Sequence, residues 1–212
     1  MLDVHAPHER MQGFKDFLLH LFTITIGLLI ALSLEGCVEW QHHRHIVHEA
    51  ETGLHGEVIG NAQTLDNIRK EIHDEEKTLN QDLAVLAAMR AHPQSHHDTI
   101  SFSYRIQSFD NVAWKTAQTT GAAAYMPYSD ARDYSDIYGT QDEVFRVQGQ
   151  TVDDVMAAAS LMVAMPDNEN PSAAKIEEIT DRIGMIQMRL NLLNSLVDAL
   201  DKTYKQYQTD HP

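Results

Sequence analysis

The chain is short of most things that would make a function legible. It has one cysteine, Cys37, so no intramolecular disulfide can form and the fold must rest on packing alone. Proline is scarce, at six residues in 212, which leaves long stretches with nothing to interrupt a helix. Positive charge is scarce too: 16 Lys and Arg stand against 31 Asp and Glu, for a formal charge of -15, and this argues against a domain that grips nucleic acid or an anionic lipid surface. Catalytic signatures are missing. His48-Glu49 is not followed three places on by the histidine of a zinc-protease helix, and there is no GxSxG and no phosphate-cradling glycine loop. Paired acids such as Asp153-Asp154 and Glu177-Glu178 fit helix-surface charges. The expectation is a protein that is not an enzyme, with no catalytic residue, no metal and no cofactor to assign.

Long hydrophobic runs are also lacking, with one exception. Residues 17–34 read FLLHLFTITIGLLIALSL, interrupted only by His20, two threonines and Ser33. A membrane span needs about 20 residues at about 1.5 Å each, and flanking Phe14 and Val38 bring the run to that length. The competing reading, a buried helix of a soluble core, fits poorly because core helices are rarely apolar around their full circumference. Trp40 stands where an interfacial aromatic is expected. The division is then residues 1–16 as a cytoplasmic tail, 17–38 as a transmembrane helix and 39–212 as an extracytoplasmic domain. Arg10 and Lys15 precede the run and Arg44 follows it, so the positive-inside tendency places the N-terminus in the cytoplasm, the domain in the periplasm and the chain in a bacterial inner membrane. A cleaved secretory or lipoprotein signal ending at Cys37 is the main alternative, and Glu35 counts against it because small uncharged residues precede a lipidated cysteine.

The remaining four-fifths has the pattern of helices. Apolar residues recur at threes and fours from Val47 through Leu54, Val58, Leu65, Ile68, Ile72, Leu79 and Leu86, with a gap near Glu75 and Glu76. Gly53, Gly56 and Gly60 mark a place for bending or for close approach of a neighbour. Residues 91–98 carry loop chemistry, including His92, His96 and His97. Residues 99–109, TISFSYRIQSF, alternate like a strand, yet a lone strand among helices has nothing to pair with, and helix is expected. Asp110 would then cap a helix through Trp114 that ends at Gly121, and a further helix runs from near Ser129 to about Met165. After the turn PDNENPS, a seam continues through Ile176, Ile179, Ile183, Ile186, Leu190, Leu193, Val197, Leu200, Tyr204 and Tyr207. That heptad spacing calls for a partner helix, from residues 40–90 of the same chain or from a second copy. The fold class expected is all-α: an N-terminal transmembrane helix followed by an antiparallel helical bundle with long coiled-coil-like helices.

Two stretches carry a resemblance. Gly27-Leu28-Leu29-Ile30-Ala31-Leu32 forms a GxLIAL-like anchor ending, and Asn111, Ala113 and Trp114 with Gly121 form a mid-chain Asn-x-Ala-Trp followed by glycine. In these the chain resembles a group of uncharacterised bacterial single-pass membrane proteins with an N-terminal anchor and a helical extracytoplasmic domain. The similarity covers the anchor, the start of the long helix and the middle segment; it implies topology and supplies no catalytic residue.

Three groups of residues could carry function. His20, Thr23, Gly27 and Ala31 share one side of the apolar helix, with Gly27 and Ala31 as a small-xxx-small pair suited to helix association in the bilayer. His42, His45 and His48, with Glu39, Glu49, Glu51 and His55 nearby, could bind a metal or sense pH, although imidazoles also suit a wet helix face, and di-iron bundles need a second Glu-x-x-His. Trp114, Tyr125 and Tyr128 could line a pocket or simply pack in the core. Beyond the lipid bilayer, the partner expected is a second copy or another membrane protein.

Overall fold

The structure, a computed structural model, describes residues 13–93, 95, 99–163 and 171–211. The sequence-based expectations for residues 1–12, for His96, His97 and Asp98, and for most of the PDNENPS turn lie outside these residues. Every regular element among the described residues is helical: α1 (Phe14–Ala91), α2 (Val112–Thr119), α3 (Ala122–Tyr125), α4 (Tyr128–Val163) and α5 (Ala173–Asp210).

α1 is 78 residues without a break, about 117 Å at 1.5 Å per residue. No proline falls inside it, and it stops two residues before Pro93, where continuing would cost a backbone hydrogen bond and a steric clash. Its first part is long and apolar enough to cross a membrane, with a mean hydropathy of 2.3 over the best 18-residue window and none of that window buried. Its second part supplies Leu54, Val58, Leu65, Ile68, Ile72, Leu79, Leu86 and Met89 to the core. The gap in apolar spacing near Glu75 is not a break. Asn61, Glu75 and Asp82 occupy core positions of the same stripe and are buried there.

All ten residues of the C-terminal seam are buried along α5. Ser172 caps this helix, its hydroxyl accepting from the Lys175 amide at 3.3 Å. Within the chain, α5 packs against α1 and α4 both. The Asn80 side chain accepts from Gln187, and the Arg69 guanidinium lies 3.5 Å from Asp198 and from Asp201. On the other flank Arg189 donates to Asp154 and Gln150, and Gln141 donates to the Tyr204 hydroxyl. Residue numbers fall along α5 as they rise along α1 and α4. On α4 the buried stripe includes Val144, Val147, Gln148, Thr151 and Ala158, while Phe145 is half exposed.

Residues 99–109 correct the expectation of a helix. They are extended and irregular, and they lie as a strap along α1. The objection that a lone strand has nothing to pair with is answered by side chains. Asn61 donates to the Asp110 carbonyl at 2.7 Å and accepts from the Asp110 amide at 2.8 Å. Gln148 on α4 does the same to Gln107, at 2.9 and 3.0 Å. Glu71 accepts from the Arg105 amide at 3.2 Å, and Asp82 accepts from the Ser101 amide at 3.4 Å. The spacing is consistent with full extension: Ser101 to Asp110 covers about 31 Å at 3.4 Å per residue, and Asp82 to Asn61 covers about 32 Å of helix.

The expected Asp110 cap is likewise corrected. Asn111 occupies the cap position of α2 without a side-chain bond, and the Ala113 amide instead donates to Glu57 of α1 at 2.8 Å. The helix ends where expected, at Gly121, whose φ of +80° is a left-handed conformation that a side chain would strain. Close approach of α2 occurs at one of the three glycines, Gly53, where a Cβ would stand 3.6 Å from that of Ala113.

Candidate functional site

The end of the domain nearest the apolar part of α1 gathers side chains from all five helices. α2 runs back down α1, from Gly53 at Ala113 to an apolar recess of about 230 Å³ shared by Ile46, Ala50, Thr116 and Thr120. Gly121 turns the chain into α3, and Tyr125 stacks on His43 with ring centroids 3.6 Å apart. Pro127 then starts α4, which climbs away, and α5 returns to finish at the same level. A cleft of about 500 Å³ opens between these helices.

One wall of the cleft is α1, with His48, Glu51, Thr52 and His55; the other is Asp130 and Tyr134 of α4 with Tyr207 and His211 at the end of α5. The hydroxyls of Tyr134 and Tyr207 share a hydrogen bond of 2.9 Å, and Tyr207 reaches His55 Nδ1 at 3.4 Å. His211 stacks on Tyr207 with centroids 4.5 Å apart. Burial holds both phenols above their ordinary pKa, Tyr134 further through its bond to Tyr207, and the charges of Glu51 and Asp130 push the same way. At neutral pH the pair is therefore protonated, an imidazole–phenol–phenol chain that can pass or receive hydrogen bonds but is no nucleophile. Among the described residues no three His, Cys, Asp or Glu side chains stand close enough to hold a metal ion.

The residues singled out in the sequence disperse. His48 lines the cleft, His45 lies 3.4 Å from Glu49 on the outer face, and His42 is exposed beside His43. Trp114 stacks on Tyr138 at 5.5 Å with the rings 4° from parallel, in a cluster that includes Tyr134. Tyr138 in turn donates to Glu57 at 2.5 Å. Tyr125 and Tyr128 belong to the outer surface, half exposed and 84% exposed respectively. His20, Thr23, Gly27 and Ala31 are exposed along α1, nothing approaches Gly27 within 4 Å, and the Thr23 hydroxyl bonds back to the Leu19 carbonyl. Asp130, Tyr134, Tyr207 and His211 are not legible as a site in the sequence. Nothing local marks them, because the cleft exists only when α5 ends beside residues 48–55 of α1.

Replacing Tyr207 with phenylalanine should lower stability by about 1 kcal/mol, since it strands the Tyr134 hydroxyl in a buried position. The same change at exposed Tyr128 should cost nothing measurable by thermal melting of the full chain in detergent, and equal losses would mean the phenol pair contributes no stability. Compared with protein-family models, with curated proteins and with solved structures, the chain matches none.

Proposed function

We propose that the chain is a membrane-anchored helical interaction or scaffolding module. In this reading residues 17–38 cross a bacterial inner membrane, the N-terminal tail is cytoplasmic, and α1, α4 and α5 form an antiparallel, coiled-coil-like bundle on the periplasmic side. The observation that carries it is continuity. Apolar side chains are exposed on all sides of α1 from Phe14 to Val38, and the same unbroken helix then supplies the core from Leu54 to Met89. A helix with no hinge transmits position and tilt between anchor and domain, which suits a module that holds a partner at a set distance from the bilayer. Lateral association runs along the face of His20, Thr23, Gly27 and Ala31, the partner being a second copy or another membrane protein. Crosslinking in intact cells should yield adducts of higher mass that are lost in a Gly27→Ile/Ala31→Ile variant. Recovery of monomer alone, at every crosslinker length, would overturn the reading.

A second reading has its own observation, the cleft with three histidines and two carboxylates. It makes the domain a sensor of a ligand or of pH that signals through a partner membrane protein. It requires the melting temperature of the full chain to move with a bound small molecule or ion, or with pH in a way that His48→Gln and His55→Gln abolish. A flat response removes it.

A further inference from the structure

We infer that the base of the domain, the turn formed by α3 and the start of α4, lies in the headgroup layer of the bilayer with Tyr125 and Tyr128 beside Trp40. This rests on the anchor reading and adds a second, separate contact between protein and lipid.

Three observations carry it. The first is height. Tyr125 stacks on His43, five residues beyond Val38, or about 7.5 Å along α1. The polar layer on each side of a hydrocarbon core is about 5–7 Å deep, so the Tyr125 ring stands at its outer edge. α2 descends toward that level and α4 leaves it, which makes the α3 turn the lowest point of the domain. The second is chemistry. Trp40, Tyr125 and Tyr128 are 58, 52 and 84% exposed, and they present the amphipathic rings that membrane–water interfaces favour. The Arg44 guanidinium lies 4.9 Å over the Trp40 ring, where it can meet a lipid phosphate. The third is charge. Residues 112–128 contain no acid and a single base, Lys115, in a chain that has 31 acids. The α2–α3 segment of an otherwise acidic domain thus brings no carboxylate toward the phosphates, and the nearest acids are Glu39 on α1 and Asp130 on α4. Trp40 stands two residues beyond Val38, the end of the exposed apolar run of α1, so the bilayer that covers the run reaches the level of these rings.

The test uses the full chain in phosphatidylcholine nanodiscs. Exposed Cys37 is replaced by serine, and a spin label is placed at one of Leu29→Cys, Ala124→Cys or Met188→Cys. Ala124 is exposed on α3 and leaves both tyrosines in place; Met188 is exposed on α5 beside Gln187, which contacts Asn80 far up α1. Relative accessibility to oxygen and to a water-soluble nickel chelate gives the depth of each label. Leu29 should read as deep in lipid, Met188 as aqueous, and Ala124 within about 5 Å of the phosphate plane. Adding Tyr125→Ser and Tyr128→Ser should move the Ala124 label toward water, with helicity unchanged. If Ala124 matches Met188 while Leu29 stays in lipid, the base stands clear of the membrane and the inference is overturned with the anchor intact. If Leu29 itself reads as aqueous, the anchor reading has failed instead.

Discussion

Replacing Gln148 or Asn61 with alanine should destabilise the domain by about 2–4 kcal/mol each, lowering the melting temperature by about 4–16 °C. These are single buried amides, and the size of the effect comes from what they hold. Each makes a pair of hydrogen bonds to the amide and carbonyl of one strap residue, so one truncation orphans two backbone groups and opens a cavity in the core. Leucine at either place would fill the space and still leave the backbone unpaired, which separates packing from hydrogen bonding. Hydrogen exchange gives the local readout: protection at the Gln107 and Asp110 amides should fall more than at Leu190, deep in the α5 seam. Losses no larger than those of exposed-site controls would show that water satisfies the strap as well as the amides do.

The strap explains where sequence reasoning stops. The α5 seam is legible to the residue because its burial depends on one helix period, which ten apolar side chains repeat without interruption. The exposed apolar run of α1 is legible for a similar reason. The strap is opaque because its hydrogen bonds come from residues 19 to 49 places away in the chain: Asp82 to Ser101, Glu71 to Arg105, Gln148 to Gln107 and Asn61 to Asp110. Local spacing can report a helix or a paired strand, but not an extended segment paired with side chains of a helix. Of the pairing residues, Asn61 and Asp82 occupy core positions in the apolar stripe of α1 and Gln148 lies on α4, while the one irregularity the spacing shows is the gap near Glu75 and Glu76. A buried amide is normally hydrogen-bonded, so Asn61 at a core position implies a polar group lying against it, which is the Asp110 backbone. The cleft is opaque for the same long-range reason, since Tyr207 and His55 are 152 residues apart.

Glu75 should make the domain less stable as pH rises, against the usual behaviour of a paired carboxylate. It is 4% exposed, one of its oxygens has no hydrogen-bond partner, and burial, with the charges of Asp82 and Glu71, pushes its pKa from 4.5 up to about 7. The groups around it give no relief. Asp82 is held up by burial too, Glu71 is engaged with Arg105 of the strap, Tyr104 keeps its proton, and the α5 seam offers only apolar side chains and tyrosines. Between pH 4.5 and about 7 the folded chain holds a proton that the unfolded chain has released, so stability from this group is complete below the window and lost through it. Above pH 7 the ionised, unpaired carboxylate costs up to about 3 kcal/mol. Glu75→Gln keeps the shape and removes the titration. Its melting temperature should equal that of the parent near pH 4.5 and exceed it increasingly up to about pH 8. Taking the difference between variant and parent cancels the opposite trend of paired acids such as Asp74 and Asp201, whose partners Lys70 and Lys205 hold their pKa low. A difference that stays constant across the range would mean Glu75 titrates normally, with water or an unseen cation at the oxygen that is bare in the fold.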